Sequence, residues 1–353
     1  MKKITKTLLV LVSSFSLSFA AVAGELSVTG SANASYVIGG SDDSQGKGIG
    51  ISNELTFSAS GEMDNGFTWN YAMELDGNDG GAHDNDDTQL VIGMGDMGTV
   101  GFFDSEGGLS QELGYGIGAL GTGSDFGNTM TVNYGGDVSN YPNVQYHLPA
   151  DLLPLGMTAK VGFAPNLADG DNNSYKNAGP LNPQSGTSAG INATHYTVGA
   201  APVDGLKIGA DYFSTDSTHA TAQEFESGNY YAQYAIGNFK IGYNKGYYAP
   251  PLANKNGSVS QYENTAMGIE FAVNDALTIS YNEETSDATT DVAIVAGASS
   301  GTKTTVESEM ESIQVAYVVG GATVGVHVID VGNADYVANK EEKKSIISLA
   351  MDF

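Results

Sequence analysis

The run Ile347-Ser348-Leu349-Ala350-Met351-Asp352-Phe353 decides the fold. Ile347, Leu349, Met351 and Phe353 fall on one face at period two, and Ser348, Ala350 and Asp352 fall on the other. That is the alternation of a strand, not the 3.6-residue spacing of a helix. The pattern recurs upstream. In Phe67 to Asp76 the odd positions are apolar or aromatic and the even ones polar or small. Leu206, Ile208, Ala210 and Tyr212 alternate with Lys207, Gly209 and Asp211, and Phe239, Ile241 and Tyr243 alternate with Lys240, Gly242 and Asn244. Met267, Ile269, Phe271 and Val273 do so against Gly268, Glu270 and Ala272, and Val324, Val326 and Val328 against Gly325 and His327.

Alternation alone suits a soluble sandwich as well as a membrane barrel, because both bury one row of each strand. The connections separate the two. Tight turns are predicted at Asp64-Asn65-Gly66, Asp96-Met97-Gly98, Leu152 to Gly156, Asp204-Gly205, Gly237-Asn238, Asn274-Asp275 and Gly320-Gly321, mostly with Gly, Asn or Asp where positive φ is needed. Between them lie polar loops: Gly39 to Lys47, Gly77 to Asp86, Ser105 to Tyr141, Asn166 to Gly190, Ser217 to Glu226, Ala249 to Gln261, Ser286 to Glu309 and Asn333 to Glu342. Seven turns alternating with eight loops give sixteen antiparallel strands, or two more or fewer where boundaries slip. A closed sheet of that size leaves an aqueous lumen.

The other end of the chain fits export. Lys2, Lys3 and Lys6 precede an apolar stretch from Leu8 to Ala21 and small residues at Ala21-Val22-Ala23, so residues 1–23 are expected to be a cleaved secretory leader and 24–353 the barrel. No other stretch is long and apolar enough to span a bilayer as a helix, so a membrane form has to be a closed sheet whose backbone groups pair between strands.

Charge excludes some functions. The chain has 14 Lys plus Arg against 41 Asp plus Glu, a formal net charge of −27, and every basic residue is Lys. Nucleic-acid binding is excluded, because phosphate recognition needs a basic face. The absence of Cys excludes disulfides, thiolate metal sites and an N-terminal lipid-modified Cys.

Three stretches, in order, resemble the general trimeric porins of Gram-negative bacteria, particularly the shorter α-proteobacterial kind. They are Glu54-Leu55-Thr56-Phe57-Ser58-Ala59-Ser60-Gly61 with Asn65-Gly66-Phe67-Thr68-Trp69, then Asn140-Tyr141-Pro142-Asn143-Val144-Gln145-Tyr146-His147-Leu148-Pro149, then the closing strand. The terminal Phe353 resembles the signal read by the outer-membrane assembly machinery. The resemblance implies a 16-stranded antiparallel transmembrane β-barrel whose third loop, Ser105 to Tyr141, folds inward as a constriction. It also implies a homotrimer in the outer membrane, surrounded by lipid and lipopolysaccharide and passing small hydrophilic solutes. That loop carries Glu106, Glu112, Asp125 and Asp137, has Asp104 at its entrance, and includes the glycine-rich run Gly114 to Gly121. Porins of this family set such carboxylates against a ladder of arginines. Here the ladder is missing, with Glu54 and Asn140 at positions where relatives carry Arg.

The expected inward row of the first four strands is Asn33, Ser35, Glu54, Thr56, Asn70, Glu74, Asp76 and Gln89, without a cation. A narrow passage lined by one sign of charge concentrates the opposite ion, so cation preference follows. Lys207 and Lys240 are expected at the periplasmic mouth and Lys160 deeper, as a minor barrier. The small outward residues Gly30, Ala32 and Ala34 suit close contact with a neighbouring barrel. Asp84-Asn85-Asp86-Asp87 and Asp169 to Asn173 offer oxygen ligands to calcium without completing a loop signature. His83, His147, His195, His219 and His327 come with no nucleophile motif, so no catalysis is expected, and His147, His195 and His327 are read as lumen-lining. Phe103, Tyr115 and Phe126 either form a selectivity patch or dock the loop. A substrate-selective channel and a non-conducting adhesin or structural barrel are the alternatives.

Overall fold

The computed structural model describes residues 26–41, 44–77, 83–122, 132–165, 167, 192–216, 223–252, 257–291 and 303–353. The expected leader, Phe126, Asp125, His219 and the Asp169 to Asn173 stretch lie outside them.

Sixteen strands form one closed barrel. They are β1 (Ser27–Ser41), β2 (Ser44–Glu62), β3 (Thr68–Gly77), β4 (His83–Gly93), β5 (Thr99–Asp104), β6 (Asn143–His147), β7 (Thr158–Ala164) and β8 (Asn192–Val203). They continue with β9 (Leu206–Asp216), β10 (Glu226–Ile236), β11 (Phe239–Ala249), β12 (Val259–Asn274), β13 (Leu277–Asp291), β14 (Lys303–Val319), β15 (Ala322–Gly332) and β16 (Glu342–Asp352). Each pairs antiparallel with its neighbours in sequence, and β1 closes on β16 from Ser31↔Asp352 to Ser41↔Glu342. Two further backbone bonds finish the seam: Gly30 N–H donates to Phe353 O at 2.8 Å and Phe353 N–H to Gly30 O at 2.9 Å. Closure matters because an unpaired backbone group in lipid costs several kcal/mol. Among the described residues no helix is long and apolar enough to cross a membrane.

The tight turns fall where the sequence places them. Gly66 and Gly205 hold φ of 81° and 78°, conformations that strain any residue with a Cβ. The loops differ more. Strands run beyond the expected loop edges, to Ser41 and from Ser44 in the first hairpin, and to Asp291 and from Lys303 in the seventh. In the seventh hairpin the outward row turns polar, with Thr285, Asp287, Glu307 and Glu309, so the hydropathy signal fades while the backbone ladder continues.

The closing strand shows which row faces out. Ile347, Leu349, Met351 and Phe353 are exposed, whereas Ile346 and Ser348 are buried. Register extends that outward row around the wall through Val326 and Val324 of β15 and Val315 and Tyr317 of β14. The same row holds Ile279 of β13, Phe271 of β12 and Phe239 of β11. The apolar row that a soluble fold would pack into a core is therefore left exposed on the outside of the wall. Inside, the apolar clusters are small: one of Leu109, Val138, Ala164, Ala193 and Phe213, another of Tyr115, Ile117 and Ala266.

Candidate functional site

The connection between β5 and β6, residues 105–142, makes the interior of the barrel asymmetric. Its first limb, 105–122, runs over inward-facing side chains from β6 to β15. Gln145 of β6 donates to Gly107 O. Asp211 of β9 accepts from Gln111 N–H at 2.8 Å, and Gln233 of β10 donates to Tyr115 O at 3.0 Å. Glu270 of β12 accepts from Gly118 N–H at 3.3 Å, and Ser280 of β13 from Ala119 N–H at 2.9 Å. Gln314 of β14 accepts from Leu120 N–H at 2.7 Å and donates to Gly121 O at 2.8 Å. The limb closes a few turns of its own, with Gly114 N–H donating to Gln111 O and Gly116 N–H to Leu113 O, and the wall satisfies much of the remaining backbone. Close approach needs glycines on the wall: a Cβ at Gly268 would stand 2.8 Å from Ile117 Cγ2.

Two carboxylate hubs fix the two limbs together. Glu284 of β13 accepts Tyr115 O–H at 2.6 Å and Tyr134 O–H at 2.7 Å, one from each limb. Asp137, on the return limb, accepts Leu109 N–H at 3.0 Å and Ser110 N–H at 2.7 Å from the outgoing limb. Burial works to raise the Asp137 carboxyl, but the hydrogen bond and charge of His195 and the two backbone donors outweigh it, leaving it below its usual range. Glu112 lies beside this hub. Burial foremost, then the charges of Asp137 and Asp211, push its carboxyl up to about 7 against opposing contributions from Ser110 and His195.

Every buried polar side chain of the strands belongs to β6 to β16; among the described residues none lies in β1 to β5. That bare wall carries Glu54 and Glu74 on its inward row, with Thr56 O–H 3.4 Å from Glu54 Oε1 and 3.5 Å from Glu74 Oε2. Glu106, at the start of the long connection, comes up to the same wall and lines one small cavity with Thr56, Ala72, Glu74, Asp87 and Gln89. Asp76 is in register with Glu54, its side chain lying outside the described residues.

Of the residues singled out in the sequence, Glu54, Glu74 and Glu106 come together, and Glu112 stands with the loop on the opposite side. Asp104 does not join them. Its register partner is Thr88, which puts it on the row of exposed Phe102, away from buried Phe103. It ends β5, immediately before the loop at whose entrance the sequence places it, and obeys strand alternation. Lys160 faces inward in register with His147 and Thr197. Lys240 is tied to Glu270 at 2.8 Å, so it is half of an ion pair and no free charge at the mouth. Lys344, which the sequence reading passed over, shares the inward row of Ile346.

His195 and His327 face inward but do not line open space, since both are wholly buried. His327 Nε2 is 2.7 Å from Ser312 Oγ, a pairing with nucleophile–base geometry, yet Ser312 is buried too and neighbouring Gln314 is bonded to Gly121 of the loop, so substrate has no approach. Phe103 and Tyr115 are buried and dock the loop. The anchors His195, Asp211, Glu284 and Gln314 were missed because each looks in sequence like any other inward polar residue. Their one available signal was an inward parity combined with a loop long enough to reach them. Among the described residues no group of His, Asp or Glu has the arrangement of a metal site.

No protein-family model and no curated protein matches the chain by sequence. Solved structures match it by fold. The anion-selective porin from Comamonas acidovorans superposes with a TM-score of 0.65 at 10% identity, covering 94% of this chain and 100% of that one. OmpF of Salmonella typhi, solved with daunomycin, gives 0.64 at 12% identity over 94% and 98%. The trimer form of OmpT, an outer membrane protein of Vibrio cholerae, gives 0.61 at 13% over 94% and 100%. The chain thus has the 16-stranded barrel fold of these proteins.

Proposed function

We propose that the chain is an outer-membrane porin, a water-filled channel for passive diffusion of ions and small hydrophilic solutes, and that it prefers cations. The observation that carries the reading is the split interior. A loop held by the β6 to β14 wall occupies one side and leaves a passage along β1 to β4, where the described acids Glu54, Glu74 and Asp87 meet Glu106 of the loop. Low-dielectric walls focus such a field on the transit path and concentrate counter-ions. The fold does not choose the sign of selectivity, since one protein of the same fold is an anion-selective porin. The side chains on the bare wall choose it.

A membrane setting is supported by the continuous exposed apolar row and by aromatic residues such as Trp69, Tyr196, Tyr212 and Tyr317 towards its edges. Assembly as a homotrimer is supported by the small outward residues Gly30, Ala32 and Ala34 of β1 beside highly exposed Ile49 and Ile51 of β2, and by the trimer form of one fold relative. Cleavage of residues 1–23 and recognition of Phe353 during assembly belong to the same reading. So do the absence of catalysis and of a resident cofactor, and calcium as an addition at Asp84 to Asp87, which open β4.

Reconstitution in a planar bilayer tests it. Conductance steps in groups of three with a cation-selective reversal potential across a potassium chloride gradient are expected. An anion-selective reversal would overturn the preference, and folded protein without conductance would leave a structural barrel or adhesin.

A further inference from the structure

His195 lies at the root of the loop and is 0% exposed. Its Nδ1 is 3.3 Å from Asp137 Oδ1 on the return limb of the connection, and its Nε2 is 3.1 Å from Asp211 Oδ2 on β9. Both carboxylates are already engaged as acceptors. Asp137 takes the N–H groups of Leu109, Ser110 and Ser139, and Asp211 takes Gln111 N–H and Asn229 Nδ2–H. A neutral imidazole has just one N–H to offer, so only the imidazolium presents a proton to both carboxylates. Without that proton, the half-buried Asp137 and the buried Asp211 would face one another across a lone pair.

We propose that His195 is the positioning residue of the loop, a charged bridge between loop and wall whose proton holds the 105–122 limb in place. Asp137 ties the two limbs to each other, Asp211 ties the outgoing limb to β9, and His195 joins these carboxylates, so one ring secures the root at three points. The remaining surroundings are Glu112 on the loop, Asn229 of β10, and Lys160 of β7, which is in register with Thr197, the next inward position after His195. The edge of Phe213 packs on the ring at 5.5 Å between centroids and keeps water from replacing it. Losing the proton, by alkali or by substitution, releases the root and lets the limb move into the passage. The consequence for ion flow rests on the channel reading; the release itself does not.

Amide hydrogen exchange on the full refolded chain in detergent, corrected for intrinsic rates and followed from neutral to alkaline pH, reads the release directly. In the wild type, peptides spanning 109–111 are expected to stay protected at neutral pH and open at alkaline pH. His195→Gln should exchange at least about ten-fold faster at neutral pH, with no alkaline step and with β16 unchanged. Asp137→Asn, which removes the loop-side charge of the bridge, should also open 109–111 and lose the alkaline step, and a retained alkaline step there overturns the bridge where His195→Gln fails to fold. Wild-type protection in these variants, or an alkaline step that survives in His195→Gln, would overturn the bridge. Bilayer recordings separate the two proposals. Root release without any conductance in the wild type defeats the channel and keeps the bridge, and ordinary conductance without root release does the reverse.

Discussion

The wall under the loop and the wall facing it are made from the same strand pattern yet differ in what their inward side chains do. Beneath the loop, Gln145, Asn282, Ser312 and Gln314 are almost fully buried and spent on holding backbone or one another. On β1 to β4, Asn33, Glu54, Thr56 and Glu74 keep part of their surface accessible. Polarity alone therefore does not mark a transport residue. What distinguishes the two is whether a second layer consumes the hydrogen bonds.

The largest effect is expected from dismantling the covered wall. Glu284→Ala strips partners from the Tyr115 and Tyr134 hydroxyls at once. Two hydrogen bonds to a charged acceptor correspond to about 3 kcal/mol, enough to make opening of the loop more than a hundred-fold commoner. Amide exchange of residues 113–121 measures it, and unchanged protection would mean that the backbone bonds from Gln314 and Ser280 suffice alone.

Next comes the charge of the bare wall. Glu54→Gln, Glu74→Gln and Glu106→Gln together should cut the cation-to-anion permeability ratio about five-fold, a change of roughly 1 kcal/mol, and the loss should shrink in strong salt. The reversal potential reports it. The same triple change should leave loop protection untouched, which sharpens the division between the walls.

A smaller effect belongs to Glu112, on the loop side of the passage. Its carboxyl is pushed up to about 7, so it is charged above that pH and neutral below. Cation preference should therefore fall by about two-fold as pH drops from 8 to 6, and Glu112→Gln should abolish that step. A step persisting in the variant would assign it to other carboxylates. The smallest effect is expected from Thr56→Ala. Its hydroxyl contacts at 3.4 and 3.5 Å are long, so stability should change by less than about 0.5 kcal/mol in urea titration of the folded barrel.

Strands and turns were legible because alternation and turn chemistry are local: each follows from a few neighbouring residues, as in Phe239 to Tyr243 or Asp204-Gly205. The edges at Ser41, Asp291 and Lys303 were not, because beyond the lipid both faces may be polar while the ladder goes on. Glu54 and Glu74 were found by inward parity alone. Asp104 lies at the loop entrance where the sequence places it, as the last residue of β5, but on the opposite parity to inward Phe103.

The sequence by itself determined the class of fold, a strand count near sixteen, which row of each strand faces outward and the overall excess of acid, since all of these depend on period, composition and turn residues. Only the tertiary structure decided which inward residues remain open. The contacts that matter join positions 100 to 194 residues apart, such as Gln111 with Asp211 and Leu120 with Gln314. Nothing local records which of many equivalent polar side chains a loop will meet once the barrel has closed around it.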